Sequence, residues 1–154
     1  MIRVLMVCLG NICRSPMAEY IFRDIAEKRG LGGQILVDSA ATSMEEWGNP
    51  VYPPAKRKLY QLGIDCSGKR ARAMRKEDYQ QYDLLIGMEN RNLIAMRRIC
   101  GGDPEGKIHL MLEHSSNPRD IADPWYTGNF DTACRDIQEG CELWLEKLAE
   151  ELKE

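Results

Sequence analysis

Residues 2–7 read Ile-Arg-Val-Leu-Met-Val, lead straight into Cys8, and break at Gly10-Asn11. A short run of strand formers with almost no polar alternation is the pattern of a strand buried on both faces, and such strands belong to parallel sheets. Parallel neighbours need a crossover connection of about a dozen residues or more, so a strand of this kind requires helices between it and its partners. The rest of the chain meets that requirement. Ser15 and Pro16 read as the N-cap and first-turn residues of a helix whose Met17, Ile21, Phe22 and Ile25 share a face, with Gly30 as its stop. A second strand is expected at Ile35 to Val37, and a Pro- and Gly-containing loop from Trp47 to Pro54 leads to a helix from Ala55 to Leu62 that stops at Gly63. Asp83 to Met88 reads as the third strand, Arg91 to Cys100 as a helix closed by Gly101-Gly102, and Ile108 to Leu112 as the fourth strand. A final helix, Thr132 to Leu152, lines up Ile137, Cys141, Trp144, Leu145, Leu148 and Leu152 on one stripe.

This alternation predicts a three-layer, doubly wound α/β fold with a central four-stranded parallel sheet, as a single domain over residues 1–154. No repeat or linker marks a second unit. In such sheets ligands gather beyond the carboxyl ends of the strands, which places Cys8 and the loops after the later strands together.

Composition excludes several function classes. Net charge is -3, so no global basic field draws the chain onto nucleic acid, and no segment nears the roughly 20 apolar residues of a membrane span. The locally basic stretch Lys69, Arg70, Arg72, Arg75, Lys76 reads as a solvated face, with anion steering second. The N-terminus lacks the length and cleavage region of a signal peptide, so the expected home is the cytoplasm. Six cysteines without an export signal are expected to be mostly free. With no C-x-x-C pair and only His109 and His114, neither a metal site nor a cofactor is expected.

Between the first strand and the first helix lies Cys8-Leu9-Gly10-Asn11-Ile12-Cys13-Arg14-Ser15, a C-x5-R loop. A helix N-terminus offers unpaired N–H groups and partial positive charge, so a loop wrapping into it holds a phosphate dianion on backbone donors. Gly10 and Asn11 tolerate the positive φ that such a nest of N–H groups demands. Arg14 adds a planar fork that bonds two phosphate oxygens at once. The same surroundings favour thiolate over thiol, which makes Cys8 a candidate nucleophile. A dinucleotide fold would want G-x-G-x-x-G at this junction, and it is absent.

The run from Val7 through Pro16 resembles the signature of the low-molecular-weight protein tyrosine phosphatases, and similarity to that family continues through Val37-Asp38-Ser39-Ala40, Gly63-Ile64-Asp65 and Asp123-Pro124-Trp125-Tyr126. The resemblance implies a cysteine-dependent phosphatase. Its substrate would be a phosphotyrosine-containing protein or a small aryl phosphate, its product inorganic phosphate, and its intermediate a phosphocysteine. Asp123 takes the role of proton donor, with Asp120 as the nearest rival. Leu9 to Ser15 hold the phosphate. Ser15 assists departure of the thiolate, and Asn11, held by Ser39, keeps the loop preorganised. Trp125 and Tyr126 wall the entrance.

Two positions depart from the family pattern. Glu45 stands where an aromatic residue is usual, so Trp47, two further on, is expected to substitute. Lys69 stands where histidine commonly supports the loop asparagine, so that network must be built differently. Cys13, five residues after Cys8, is a candidate redox partner for it. An arginine phosphatase on the same scaffold would carry threonine in place of Ile12. An arsenate reductase would need a relay of further cysteines, for which Cys66 and Cys100 are poorly placed. A non-catalytic phospholigand-binding module would have no use for the acid.

Overall fold

The computed structural model describes residues 1–153. Its sheet has the order β2-β1-β3-β4, built from β1 (Ile2–Cys8), β2 (Ile35–Ala41), β3 (Leu84–Gly87) and β4 (Ile108–Leu110). All neighbours are parallel, with Val4 opposite Val37 on one side and Leu84 on the other. The chain starts at the second position and winds both ways, so the carboxyl ends of β1 and β3 flank the point where the strand order reverses. That is where a doubly wound sheet opens a crevice.

The two faces of β1 explain why its sequence hardly alternates. Val4 and Met6 point into a core shared with α1 (Arg14–Lys28) and α6 (Phe130–Leu152). Leu5 and Val7 point the other way, into a core shared with α4 (Asn90–Cys100). All four side chains are fully buried. On α6 the expected stripe is what packs: Ile137, Cys141, Trp144, Leu145 and Leu148 are at most 1% exposed, and each large one contributes about 1.5–3 kcal/mol relative to exposure. Gly87, at the end of β3, leaves room for α4 to fold back, since a Cβ there would meet Leu93 Cδ2 at 2.8 Å.

Several boundaries differ from the sequence reading. β2 runs on to Ala41, because Ser39, Ala40 and Ala41 pair with Met6, Val7 and Cys8. β4 stops at Leu110, where the chain turns beneath α6. The first helix begins at Arg14, not after a Ser15 cap; Cys13 is its N-cap, without a side-chain cap, and Ser15 is completely buried and directed to another task. Two short helices, α3 (Asp78–Gln81) and α5 (Pro124–Thr127), fall in stretches to which the sequence reading assigned no element. Four residues are too few to show a helical period, so neither leaves a signature of that kind. The remaining helix, α2 (Pro53–Gln61), starts two residues before the expected Ala55 because Pro53 and Pro54 occupy its first turn, where a missing N–H costs nothing.

Candidate active site

The loop from β1 to α1 closes around Cys8. Asn11 adopts φ 59°, the one non-glycine residue with positive φ among those described, whereas Gly10 stays out of that region. The loop's carbonyls face outward and are engaged: Cys8 O accepts from Thr42 N, Leu9 O from Ser43 N and Ile12 O from Tyr52 N, at 2.9–3.0 Å. The Asn11 N–H is turned the other way and donates to Cys8 Sγ at 3.3 Å. Outward carbonyls and inward N–H groups make a concave anion nest.

Cys8 is 3% exposed and has Ser15 Oγ 3.0 Å from its sulphur. Asn11 Nδ2 donates to Ser15 Oγ at 2.8 Å and to Ser39 Oγ at 2.9 Å, so the three polar side chains named in the sequence lie in one bonded chain. Arg14, 1% exposed, donates through Nη1 to Ile121 O at 2.8 Å and through Nη2 to Glu89 Oε1 at 3.3 Å. Asp123 Oδ2 lies 3.3 Å from the same Nη2. Burial works against the Arg14 charge, but Cys8, Asp123 and Glu89 outweigh it and hold the guanidinium more firmly protonated than usual. Asp123 also caps α5, accepting from Trp125 N at 3.0 Å with extended backbone before Pro124. One carboxylate thus faces the guanidinium while locked to its own helix.

The rival acid goes elsewhere: Asp120 accepts from Asn90 N at 2.9 Å and Nδ2 at 2.8 Å, pinning the start of α4. Cys13 is 5% exposed, and burial first, with Cys8 and Asp123 adding against Arg14, pushes its thiol up to about 12. It stays a thiol at neutral pH. Cys66 lies in the core on the α1 side of the sheet and Cys100 in the core on the α4 side, so no cysteine relay can run between them.

A cavity of ≈ 170 Å³ opens above Cys8, Arg14 and Asp123. Leu9, Gly10, Ile12 and Cys13 line its floor, and Trp125 and Tyr126, 52% and 72% exposed, stand on one wall. Tyr52 braces Trp125 with ring centroids 4.8 Å apart. Trp47 is a correction: it is 57% exposed and is not among the lining residues, while Glu45 and Glu46 are. Two carboxylate side chains thus border the cavity where an indole was expected. A second correction concerns the basic stretch. Arg70, Arg75 and Lys76 are exposed, but Lys69 is 8% exposed and Arg72 pairs with Asp78 at 3.2 Å. Arg72 N donates to Asn11 Oδ1 at 3.1 Å, so Lys69 and Arg72 turn inward to support the loop, while Arg70, Arg75 and Lys76 keep the expected solvated face.

Sequence reasoning passed over Glu19 and Glu89. Glu89 follows Met88 at the carboxyl end of β3, the end where site residues collect, and that position was a usable signal. Glu19 lies one helical turn after Ser15 amid apolar residues, and a carboxylate at a buried helical position signals a partner. Among the described residues no group of three or more His, Cys, Asp or Glu side chains is arranged to hold a metal ion, and no helix is long and apolar enough to cross a membrane.

Comparison with known proteins decides the family. The family model for low molecular weight phosphotyrosine protein phosphatase matches residues 3–154. The chain belongs to that family. It is 42% identical over 153 residues to the Bacillus subtilis low molecular weight protein-tyrosine-phosphatase YfkJ, covering 98% of each chain. It is 36% identical to the Homo sapiens low molecular weight phosphotyrosine protein phosphatase over 149 residues, 94% of each. The crystal structure of YfkJ superposes with a TM-score of 0.93 across 98% of this chain and 96% of that one. A drosophila arginine phosphatase shares the fold at TM-score 0.86 and 29% identity, covering 94% of this chain and 96% of its own. The protein is accordingly a cysteine-dependent phosphatase of the low-molecular-weight tyrosine phosphatase family, a hydrolase built on a four-stranded parallel α/β sheet.

Proposed function

We propose that this phosphatase hydrolyses phosphotyrosine, in proteins or as small aryl phosphate monoesters, with Cys8 as nucleophile, Arg14 as phosphate clamp and Asp123 as proton donor. The observation that carries the assignment is convergence: three residues from positions 8, 14 and 123 border one small cavity walled by Trp125 and Tyr126. The phosphate lies in the nest of loop N–H groups formed by Leu9 to Ser15, and two of its oxygens bond the Arg14 fork. Cys8 Sγ attacks phosphorus and the bond from phosphorus to the aryl oxygen breaks, while Asp123 delivers its proton to that oxygen. Asp123, now a carboxylate, takes a proton from water as the water oxygen attacks the phosphocysteine. The P–S bond breaks, inorganic phosphate leaves, and the Ser15 hydroxyl 3.0 Å away receives the thiolate.

A second reading rests on Glu45 and Glu46. Carboxylates at the mouth suit a cationic leaving group such as the guanidine of phosphoarginine. The apolar Ile12 in the floor and the aromatic wall suit an aryl ring better, so phosphotyrosine leads. Six free, buried cysteines fit a reducing compartment, and we place the activity in the cytoplasm.

The test is hydrolysis of para-nitrophenyl phosphate in chelator and reductant by the parent and by Cys8→Ser. Parent turnover that falls by more than roughly 10⁴-fold in the variant supports the thiolate route. Equal turnover in both removes it. A matched pair of phosphotyrosine and phosphoarginine peptides then separates the two readings by kcat/KM.

A further inference from the structure

Beside the cavity over Cys8 lies a second, larger depression, ≈ 820 against ≈ 170 Å³, and the two share Ile12, Glu46 and Trp125 in their walls. It is an open groove between residues 49–53 and α2. Its helical side is one stripe of α2: Pro53, Lys56, Arg57 and Tyr60 recur at the three- and four-residue spacing that brings side chains to one face, while Ala55 and Leu59 on the opposite face are fully buried. From Pro53 to Tyr60 the helix rises roughly 10 Å, the length of about three residues of extended chain. Pro50, Pro53 and Tyr60, the last 80% exposed, form one apolar surface next to the site rather than scattered single side chains, and such a surface marks a contact for another chain.

The groove is held in register with the catalytic loop. Tyr52 N donates to Ile12 O at 2.9 Å, and the Tyr52 ring packs against both Trp125 and Phe130, with centroids 4.8 and 6.0 Å away. Whatever lies in the groove is therefore fixed relative to the cavity. Charge changes sign along it. Glu46, the one acid in the lining, sits at the end shared with the cavity. Lys56 and Arg57 lie farther along, and neither has an ion-pair partner among the described residues, whereas the next cation on the helix, Lys58, is taken by Asp131.

We propose that this groove is the docking subsite for a protein substrate. An extended segment flanking the phosphotyrosine lies along it, with an apolar side chain resting on Pro53 and Tyr60 and an acidic one, about three residues from the phosphotyrosine, facing Lys56 and Arg57. The inference rests on the reading of the cavity as a phosphotyrosine site. A free aryl phosphate fills the cavity and leaves the groove empty. A peptide carries its backbone out of the mouth, and past Trp125 the groove offers it a continuous apolar path that ends beside two cations free to meet a carboxylate. Exposed ion pairs contribute little to affinity, but like charges placed together are rejected, so the cations act chiefly by choosing among substrates.

The experiment measures kcat/KM for phosphotyrosine peptides relative to para-nitrophenyl phosphate, which is too small to reach from the cavity into the groove. Two peptide series carry Leu and then Glu on the amino or on the carboxyl side of the phosphotyrosine, each matched by a peptide with Lys in place of Glu. The enzymes are the parent, the double variant Lys56→Glu/Arg57→Glu, and Tyr60→Ala; all three altered side chains are exposed, so the core is left intact. In one series the parent should prefer Glu over Lys about fivefold, the size of an exposed ion pair gained and a like-charge contact avoided. The double variant should reverse that order, and Tyr60→Ala should lower the peptide ratio about threefold. Para-nitrophenyl phosphate carries the same phosphate charge, so the ratio cancels changes in the general field of the protein. Parent rates indifferent to Glu and Lys in both series, or a double variant that keeps the parent's order, overturn the proposal. A sedimentation mass that falls in Tyr60→Ala with the peptide ratio unchanged assigns the groove to a second copy of the chain and overturns it as well. Failure of the underlying phosphotyrosine reading looks different, because then no phosphotyrosine peptide of either series is turned over, and the subsite falls with it.

Discussion

Cys8, Asn11, Ser15 and Ser39 are at most 3% exposed and are tied to one another by hydrogen bonds; Trp125 and Tyr126, across the same cleft, are 52% and 72% exposed. Among the described residues no buried side-chain nitrogen or oxygen lacks a partner. The floor is thus a closed network in which one altered group forces a change in the next, whereas a rim side chain is replaced without leaving a buried partner unsatisfied. The two departures from the family pattern illustrate the difference. Glu45 on the rim comes with no rebuilt contact except Glu45 N to Ser43 Oγ, while Lys69 in the floor comes with two hydrogen-bond acceptors, Asp38 and Ser39 O, and an ion pair to Glu19. If floor and rim divide the work this way, floor variants should lose kcat and rim variants should change KM.

The hardest test of that division is Asp123→Asn. Asparagine still caps α5, so the wall stays in place while the proton is lost. The expected result is a fall of about 10²–10⁴ in kcat on phosphotyrosine, with KM nearly unchanged and a smaller loss on para-nitrophenyl phosphate, whose leaving oxygen needs less protonation. Stopped-flow assays on both substrates check this, and an equal loss on both would remove Asp123 from the acid role. Asp120→Ala, by contrast, should change kcat by less than about threefold, since its bonds end at Asn90. Next in size is Arg14→Lys. A single ammonium cannot span two phosphate oxygens or keep Ile121 O and Glu89 together, so kcat should fall roughly 10²–10³-fold and phosphate inhibition should weaken. Parent-like phosphate inhibition in a folded Arg14→Lys would break the assignment of the clamp.

The floor was far more legible in the sequence than the rim, and for a physical reason. Cys8, Asn11, Arg14 and Ser15 sit on one strand-to-helix junction, where local spacing alone dictates a phosphate nest. Asp123 required the chain to return from over a hundred residues away, and only the resemblance to the family located it. Trp47 failed because side-chain direction on a loop has no period to read; the backbone there turns Glu45 and Glu46 to the cleft instead. Lys69 and Arg72 failed because charge in a polar stretch is normally solvated, and their carboxylate partners Glu19, Asp38 and Asp78 are scattered along the chain. The sheet was recovered in type and number because apolar runs persist locally, while β2 lost its last four residues to the polar Asp38 and Ser39.

On the rim the expected effects are smaller and of the other kind. Trp125→Ala removes an exposed ring braced by Tyr52 and should raise KM for aryl phosphates about fivefold, with kcat within about twofold. A matching fall in kcat would mean that the wall also orients the reacting bond, and the floor–rim distinction would blur at that residue.

Cys13 gives the smallest effect on turnover and the sharpest condition on it, because it lies in the floor yet takes no step in the chemistry. Its thiol, pushed up to about 12, is protonated wherever the enzyme works, so Cys13→Ser should keep kcat within about twofold. The folded value lies above the ordinary 9.0, so this group's contribution to stability is complete below pH 9 and is lost as pH rises toward 12; the serine variant should lose less stability across that interval. Under peroxide the difference should become large. Peroxide oxidises the Cys8 thiolate to a sulfenic acid, releasing hydroxide, and attack by Cys13 sulphur on that sulfenic sulphur forms a disulfide and releases water. Dithiothreitol then returns both thiols. In Cys13→Ser the sulfenic acid has no such partner and proceeds to the sulfinic state, so the activity recovered by dithiothreitol should fall well below the parent's. Equal recovery in the two proteins would show that the second cysteine of the loop only fills space, and that the floor protects its nucleophile by burial alone.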